Sequence, residues 1–166
     1  MSEKDFVGEP LTVGFSGTFD MNGLYLLLHE WFIRHDYKID EKEYREYKDE
    51  GKRKLALVWK VKKKVDDYVK FEIDVRLSLT DMQHVTLKKK KAVQAQMTLM
   101  LIPYLLKDYE DVWARKGWMK FMREAYDRLI IRSRMDAFEK DLVEEMRRLT
   151  GEVKAYLNLT KVAVPG

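Results

Sequence analysis

The sequence predicts an α+β protein in which a curved antiparallel meander sheet packs on long C-terminal helices, in the order β-α-β(4-5)-α(1-2). Three observations carry this expectation. Residues 55–79 fold onto themselves as a hairpin whose two faces both match. The stretch after Asp20 places apolar residues at helical spacing, and so does the stretch from about Trp113 to Leu157. A chain of 166 residues that is 46% hydrophobic and 36% charged can bury one core, so residues 1–166 are expected to form a single domain. Within it, residues 1–10 are expected to be a loose N-terminal segment and 113–159 the C-terminal helices.

"LTVGFSGTF" alternates Leu11, Val13 and Phe15 with small or polar residues and reads as the first strand. "DMNGLYLLLHEWFIRHDY" follows as a helix, with Asp20 as N-cap and Phe19 placed to staple onto Leu24. Leu24, Leu27, Leu28 and Trp31 share one face, with Phe32 at its edge.

The next segment contains the most specific signal. With Asp66, Asp67 and Tyr68 as loop, Val61 faces Ile73, Trp59 faces Val75, Leu57 faces Leu77 and Leu55 faces Leu79. On the opposite face Lys62 meets Glu72 and Lys60 meets Asp74. A slip of one residue would ruin both faces. Upstream, Asp49–Gly51 as loop pairs Glu46 with Lys54 and Asp40 with Lys60. The apolar positions match less well there, so a bulge is expected. Downstream, Lys89–Lys91 as loop puts Leu87 opposite Val93, Val85 opposite Ala95, Thr86 opposite Gln94 and His84 opposite Gln96. The last strand is expected to end at Pro103. From Trp113 onward, Trp118, Phe121, Met122, Ala125 and Leu129, then Met135, Phe138, Leu142, Met146, Leu149, Val153 and Tyr156, follow a helical period. A single helix of that length would span roughly 65 Å, so an interruption is expected at "RSRMD" or Gly151.

Net charge is +4, but it is unevenly placed: −6 over residues 1–50, +9 over 51–107 and +1 over 108–166. Cross-strand acids account for most of the lysines of residues 52–64. Lys88, Lys89, Lys90 and Lys91 have no acid opposite, so they are either a solvated hairpin tip or an anion site. The chain has two Asn and three Gln against 60 charged residues, a bias that resembles proteins from hot environments.

No apolar run is long enough to span a bilayer. "MSEKDFVGEP" lacks the apolar stretch of a signal peptide, which predicts cytoplasmic residence. Without cysteine there is neither a disulfide framework nor a thiolate metal site. His29 and His35 lie about 240° apart around a helix, and His84 falls on a strand, so no metal is expected. G-x-S-x-G, H-E-x-x-H and G-K-[ST] are all missing, so no catalytic residue is assigned.

The element order resembles the helix-grip arrangement of START-type lipid-binding domains, which implies a sheet wrapped around a long C-terminal helix. Those domains usually carry two short helices after the first strand, where this chain has one. Cystatin-like and NTF2-like layouts are the alternative orders.

The expected function is a non-enzymatic cytoplasmic binding module without cofactor. It would hold an apolar small molecule or lipid, or a partner protein, between sheet and C-terminal helices. Trp59, Met97, Met100, Tyr104, Tyr109, Trp113, Trp118 and Met122 supply the flexible or aromatic surface for this. One alternative is a basic-surface module that binds nucleic acid or anionic lipid through Lys88–Lys91 and the Lys62–Lys64 region. Another is a structural protein that forms homo-oligomers through its C-terminal helices.

Overall fold

The computed structural model describes residues 3–65, 69–107 and 132–162. Six strands form one antiparallel sheet: β1 (Glu3–Phe6), β2 (Leu11–Phe19), β3 (Lys38–Asp49), β4 (Lys52–Lys64), β5 (Val69–Leu87) and β6 (Lys90–Lys107). Helix α1 (Met21–Arg34) links β2 to β3, and helix α2 (Arg132–Val162) follows β6 in the chain. The sheet runs β6, β5, β4, β3 to one edge, while β1 and β2 lie end to end along the free side of β6. α1 thus carries the chain from one edge of the sheet to the other.

The β4–β5 hairpin has the register that its two faces demand, with Trp59 opposite Val75, Leu57 opposite Leu77, and Lys62 opposite Glu72. The expected loop Asp66–Tyr68 lies outside the described residues. Continued across β6 and β2, the same register stacks apolar rows on the inner face. Leu57, Leu77, Leu99 and Val13 form one row; Leu55, Leu79, Met97 and Phe15 form the next. α2 lays Leu142, Met146, Leu149, Val153 and Leu157 on this face, each at most 1% exposed. Each buried side chain of that size is worth about 1.5–3 kcal/mol, which outweighs the cost of Gly151 inside the helix. The expected interruption at Gly151 is therefore absent, and α2 runs through it. "RSRMD" lies within the start of α2, and the part of the expected helix before Arg132 lies outside the described residues. Leu157 rather than Tyr156 completes the buried stripe, and Tyr156 is half-buried.

α1 starts after Asp20 and buries Met21, Leu24, Leu28, Trp31 and Phe32, while Leu27 is only partly covered. Its end is a Schellman motif. Tyr37 N–H donates to Phe32 O at 2.9 Å and Asp36 N–H to Ile33 O at 3.1 Å. Asp36 takes φ 65° where glycine is usual. The accompanying ring contact of Tyr37 with Phe32, 5.4 Å between centroids, drives Tyr37 into the core.

Four expectations are corrected. The segment 1–10 carries β1, because β6 beyond the end of β2 offers unpaired backbone groups at Tyr104–Lys107 that Glu3–Phe6 satisfy. β6 does not end at Pro103. The Pro103 carbonyl accepts from Val7 N–H at 3.1 Å, so its missing donor also points to the junction between β1 and β2, where no ladder bond is lost. The β3–β4 turn has two residues, Glu50 and Gly51, with φ 53° and 78°, so Glu46 opposes Leu55 rather than Lys54. A bulge at Glu41–Glu43 then restores the expected Asp40–Lys60 pair.

The fourth correction is the β5–β6 register. The turn is Lys88–Lys89, with Leu87 opposite Lys90, Val85 opposite Ala92 and His84 opposite Val93. Asp81, at φ 49°, sits in a register shift between Thr80 and Gln83 that reverses which residues face the core. β5 therefore continues from Val69 to Leu87 as one strand.

Candidate functional site

The described part of the space between sheet and α2, where a ligand is expected, is occupied by the chain's own side chains. Trp59, Met97, Leu99 and Met146 occupy it at 0–2% exposure. Trp59 donates its indole N–H to Glu41 Oε1 at 3.0 Å, and Tyr25 donates to the same oxygen at 3.0 Å. Met97 and Met100, three apart on one strand, point to opposite faces. Met97 joins the core, while Met100 lies half-buried on the outer face opposite Arg76 and Thr12. Tyr104 is also on the outer face, 4.7 Å from the Phe6 ring, with Lys4 Nζ 4.0 Å above its own ring. Trp59, Met97, Met100 and Tyr104 therefore do not converge. Tyr109, Trp113, Trp118 and Met122 lie outside the described residues.

Among the described residues, two open clefts lie at the rim. At one end, a cleft of about 370 Å³ separates β4 and β5 from α2, with Val65, Phe71 and Phe138 as its apolar wall. Its charges are largely mutual. Lys63 Nζ is 2.9 Å from Glu145 Oε1, and Asp141 and Glu144 balance Arg148 and Lys64 in formal charge among the lining residues. Tyr37 donates to Glu145 Oε2 at 2.5 Å. Burial, and then the Glu145 carboxylate, hold the Tyr37 hydroxyl protonated well above the ordinary tyrosine range.

At the other end, the lysine tip closes a cleft of about 310 Å³ against the β2–α1 junction and α2. Phe19, Leu87, Ala92 and Tyr156 line it, with Thr18 and Asp20 of the β2–α1 junction on one side. Lys88, Lys90 and Lys91 line the other. Lys89 belongs to the turn but not to the cleft. All four lysines are exposed, and none forms an ion pair among the described residues. Three lysines against one aspartate leave the cleft with a formal excess of two positive charges.

The turn that presents these lysines is built at a cost. Lys88 and Lys89 have φ 47° and 68°, the two left-handed positions of a type I′ turn, where Asn-Gly is the favoured pair. A non-glycine residue there costs about 1 kcal/mol or more. On the facing wall, Tyr156 donates to the Asp20 carbonyl at 2.9 Å. Burial, and then the Asp20 charge, push its pKa up to about 12. Gly23 makes the approach feasible, since a Cβ there would collide with the Tyr156 hydroxyl. Sequence reasoning found the lysines but not Thr18, Leu87, Ala92 or Tyr156. The spacing of Tyr156 read as core, and no local pattern links it to residue 20.

Among the described residues no three His, Asp or Glu side chains converge as a metal site requires. No helix among them is long and apolar enough to cross a membrane. The chain matches no family model, and no curated protein or solved structure is significantly similar to it.

Proposed function

We propose that this chain is a non-enzymatic binding module for an amphipathic anion, held in the cleft between the lysine tip, the start of α1 and Tyr156. The observation that carries the reading is the pairing of three lysines, none ion-paired among the described residues, with an apolar wall of Phe19, Leu87 and Ala92 in one cleft. Its volume of about 310 Å³ is at the lower end of the roughly 300–1,000 Å³ typical of small-molecule sites. An anionic head would meet the ammonium groups and the Thr18 hydroxyl, and an apolar body would cover the rings and lysine stems. The strained turn supports the reading, since two lysines are kept where glycine and asparagine would be more stable. The cleft at the Lys63–Glu145 end is larger, but its charges already neutralise each other and create no comparable demand for a ligand.

The test is titration with octyl phosphate, inorganic phosphate and octyltrimethylammonium, read by calorimetry and native mass spectrometry. Octyl phosphate should bind at least tenfold more tightly than inorganic phosphate, and the cation should not bind. Equal binding of both phosphates would instead favour a polyanion surface such as nucleic acid. Absence of binding by all three would refute the proposal.

A further inference from the structure

The two edges of the sheet are built in opposite ways. β3, at one edge, has nine charged residues among its twelve, and a bulge interrupts it at Glu41–Glu43. Charges and bulges of this kind keep an edge from pairing with another strand. β2, at the other edge, runs nine residues as "LTVGFSGTF" without a charge, a proline or a register shift. Among the described residues it pairs only with β6, so alternate backbone N–H and C=O groups along its outer side meet no strand. Thr12, Gly14 and Ser16 are exposed on its outer face. α2 covers the inner face, where Val13 is buried and Phe15 partly so, and no other described strand pairs with the outer edge.

β2 also reads nearly the same in both directions about Phe15. Its ends are Leu11 and Phe19, followed inward by Thr12 and Thr18, then Val13 and Gly17, then Gly14 and Ser16. A two-fold axis through Phe15 would place Thr12 opposite Thr18, Gly14 opposite Ser16 and Phe15 opposite its own copy. The Thr12–Thr18 and Gly14–Ser16 pairs then lie on the outer face, small facing small, and the two Phe15 rings meet on the inner face, with no like charges opposed. This is the self-complementarity that an isologous interface requires.

We propose that the free edge of β2 docks a second copy of this chain, antiparallel about Phe15, so that two sheets continue into one. A foreign strand would gain nothing from the symmetry of β2, whereas an identical strand uses all of it. One strand pair covers less than the roughly 1,200–2,000 Å² of standard interfaces, so the dimer is weak and dissociates on dilution.

The experiment is sedimentation of the full chain over a dilution series, with two charge variants. A Cβ at Gly14 would have no atom within 4 Å, so a longer side chain fits there without steric cost to the fold. Gly14→Lys/Ser16→Lys and Gly14→Asp/Ser16→Asp should each keep the far-ultraviolet spectrum of the parent. Each should also weaken the dimer more than tenfold. Mixed together, they should form a heterodimer, because opposite charges then face each other twice. A parent chain that stays monomeric at the highest concentration overturns the proposal. So do homodimers that persist in both variants, or variants that fail to associate when mixed.

Discussion

Lys63 Nζ and Glu145 Oε1 lie 2.9 Å apart across the boundary between β4 and α2, with side-chain exposures of 18% and 20%. Lys63 occupies an inner-face position opposite Phe71, where a lysine is tolerable only with a partner. Glu145 supplies it and also accepts from Tyr37, so one carboxylate ties α2 to both β4 and the end of α1.

Replacing Glu145 with alanine should therefore cost about 2–4 kcal/mol, since it strands a half-buried ammonium and a buried hydroxyl together. Urea unfolding measures this. The double variant Lys63→Met/Glu145→Leu should recover only the part due to the stranded ammonium, because paired apolar groups replace the ion pair while the Tyr37 hydroxyl still lacks its acceptor.

Alkaline pH should destabilise the protein through its shielded tyrosines. The folded state holds the Tyr156 proton up to about pH 12, while the unfolded chain releases it near the ordinary tyrosine value of about 10. Tyr37 is shifted in the same direction. The unfolded state then binds fewer protons, so this stabilisation is complete below about pH 10 and is lost as pH climbs through the folded-state values. Thermal melts between pH 9 and 12 should show a steeper loss in the parent than in Tyr37→Phe/Tyr156→Phe. Parallel curves would rule out the two tyrosines as the cause.

Gly23 and Tyr156 should be energetically coupled. In the parent, Gly23→Ala pushes the Tyr156 hydroxyl off the Asp20 carbonyl, and the lost hydrogen bond of about 1 kcal/mol offsets the gain in helix propensity. In a Tyr156→Ala background the same change should stabilise by about 0.5–1 kcal/mol. A double-mutant cycle that closes to zero would show that the two side chains act independently.

The lysine turn should trade stability for binding. Lys88→Asn/Lys89→Gly relieves two left-handed lysines and should stabilise the protein by about 1 kcal/mol. It should also weaken octyl phosphate binding, because Lys88 lines the cleft. Lys89→Gly alone should stabilise without affecting affinity. The equivalent relief at the β3–β4 turn, Glu50→Asn, should stabilise with no effect on binding at all.

The sequence by itself determined those elements whose residues meet two local requirements at once. The β4–β5 register had to satisfy Trp59 against Val75 and Lys62 against Glu72 together, and only one alignment does so. The buried stripe of α2 followed from its helical period, from Met135 to Val153. Tertiary structure decided the rest. Val85, Leu87, Val93 and Ala95 alternate equally well in more than one alignment, and a bulge at Asp81, which no residue pattern announces, selected among them. Glu3–Phe6 became a strand because β6 had backbone groups left over. Lys63 found Glu145 from 82 residues away, and Tyr156 found Asp20 from 136. Periodicity records which way a side chain faces. What it faces depends on which edges and charges the folded layers leave unpaired, and that is settled only when the layers meet.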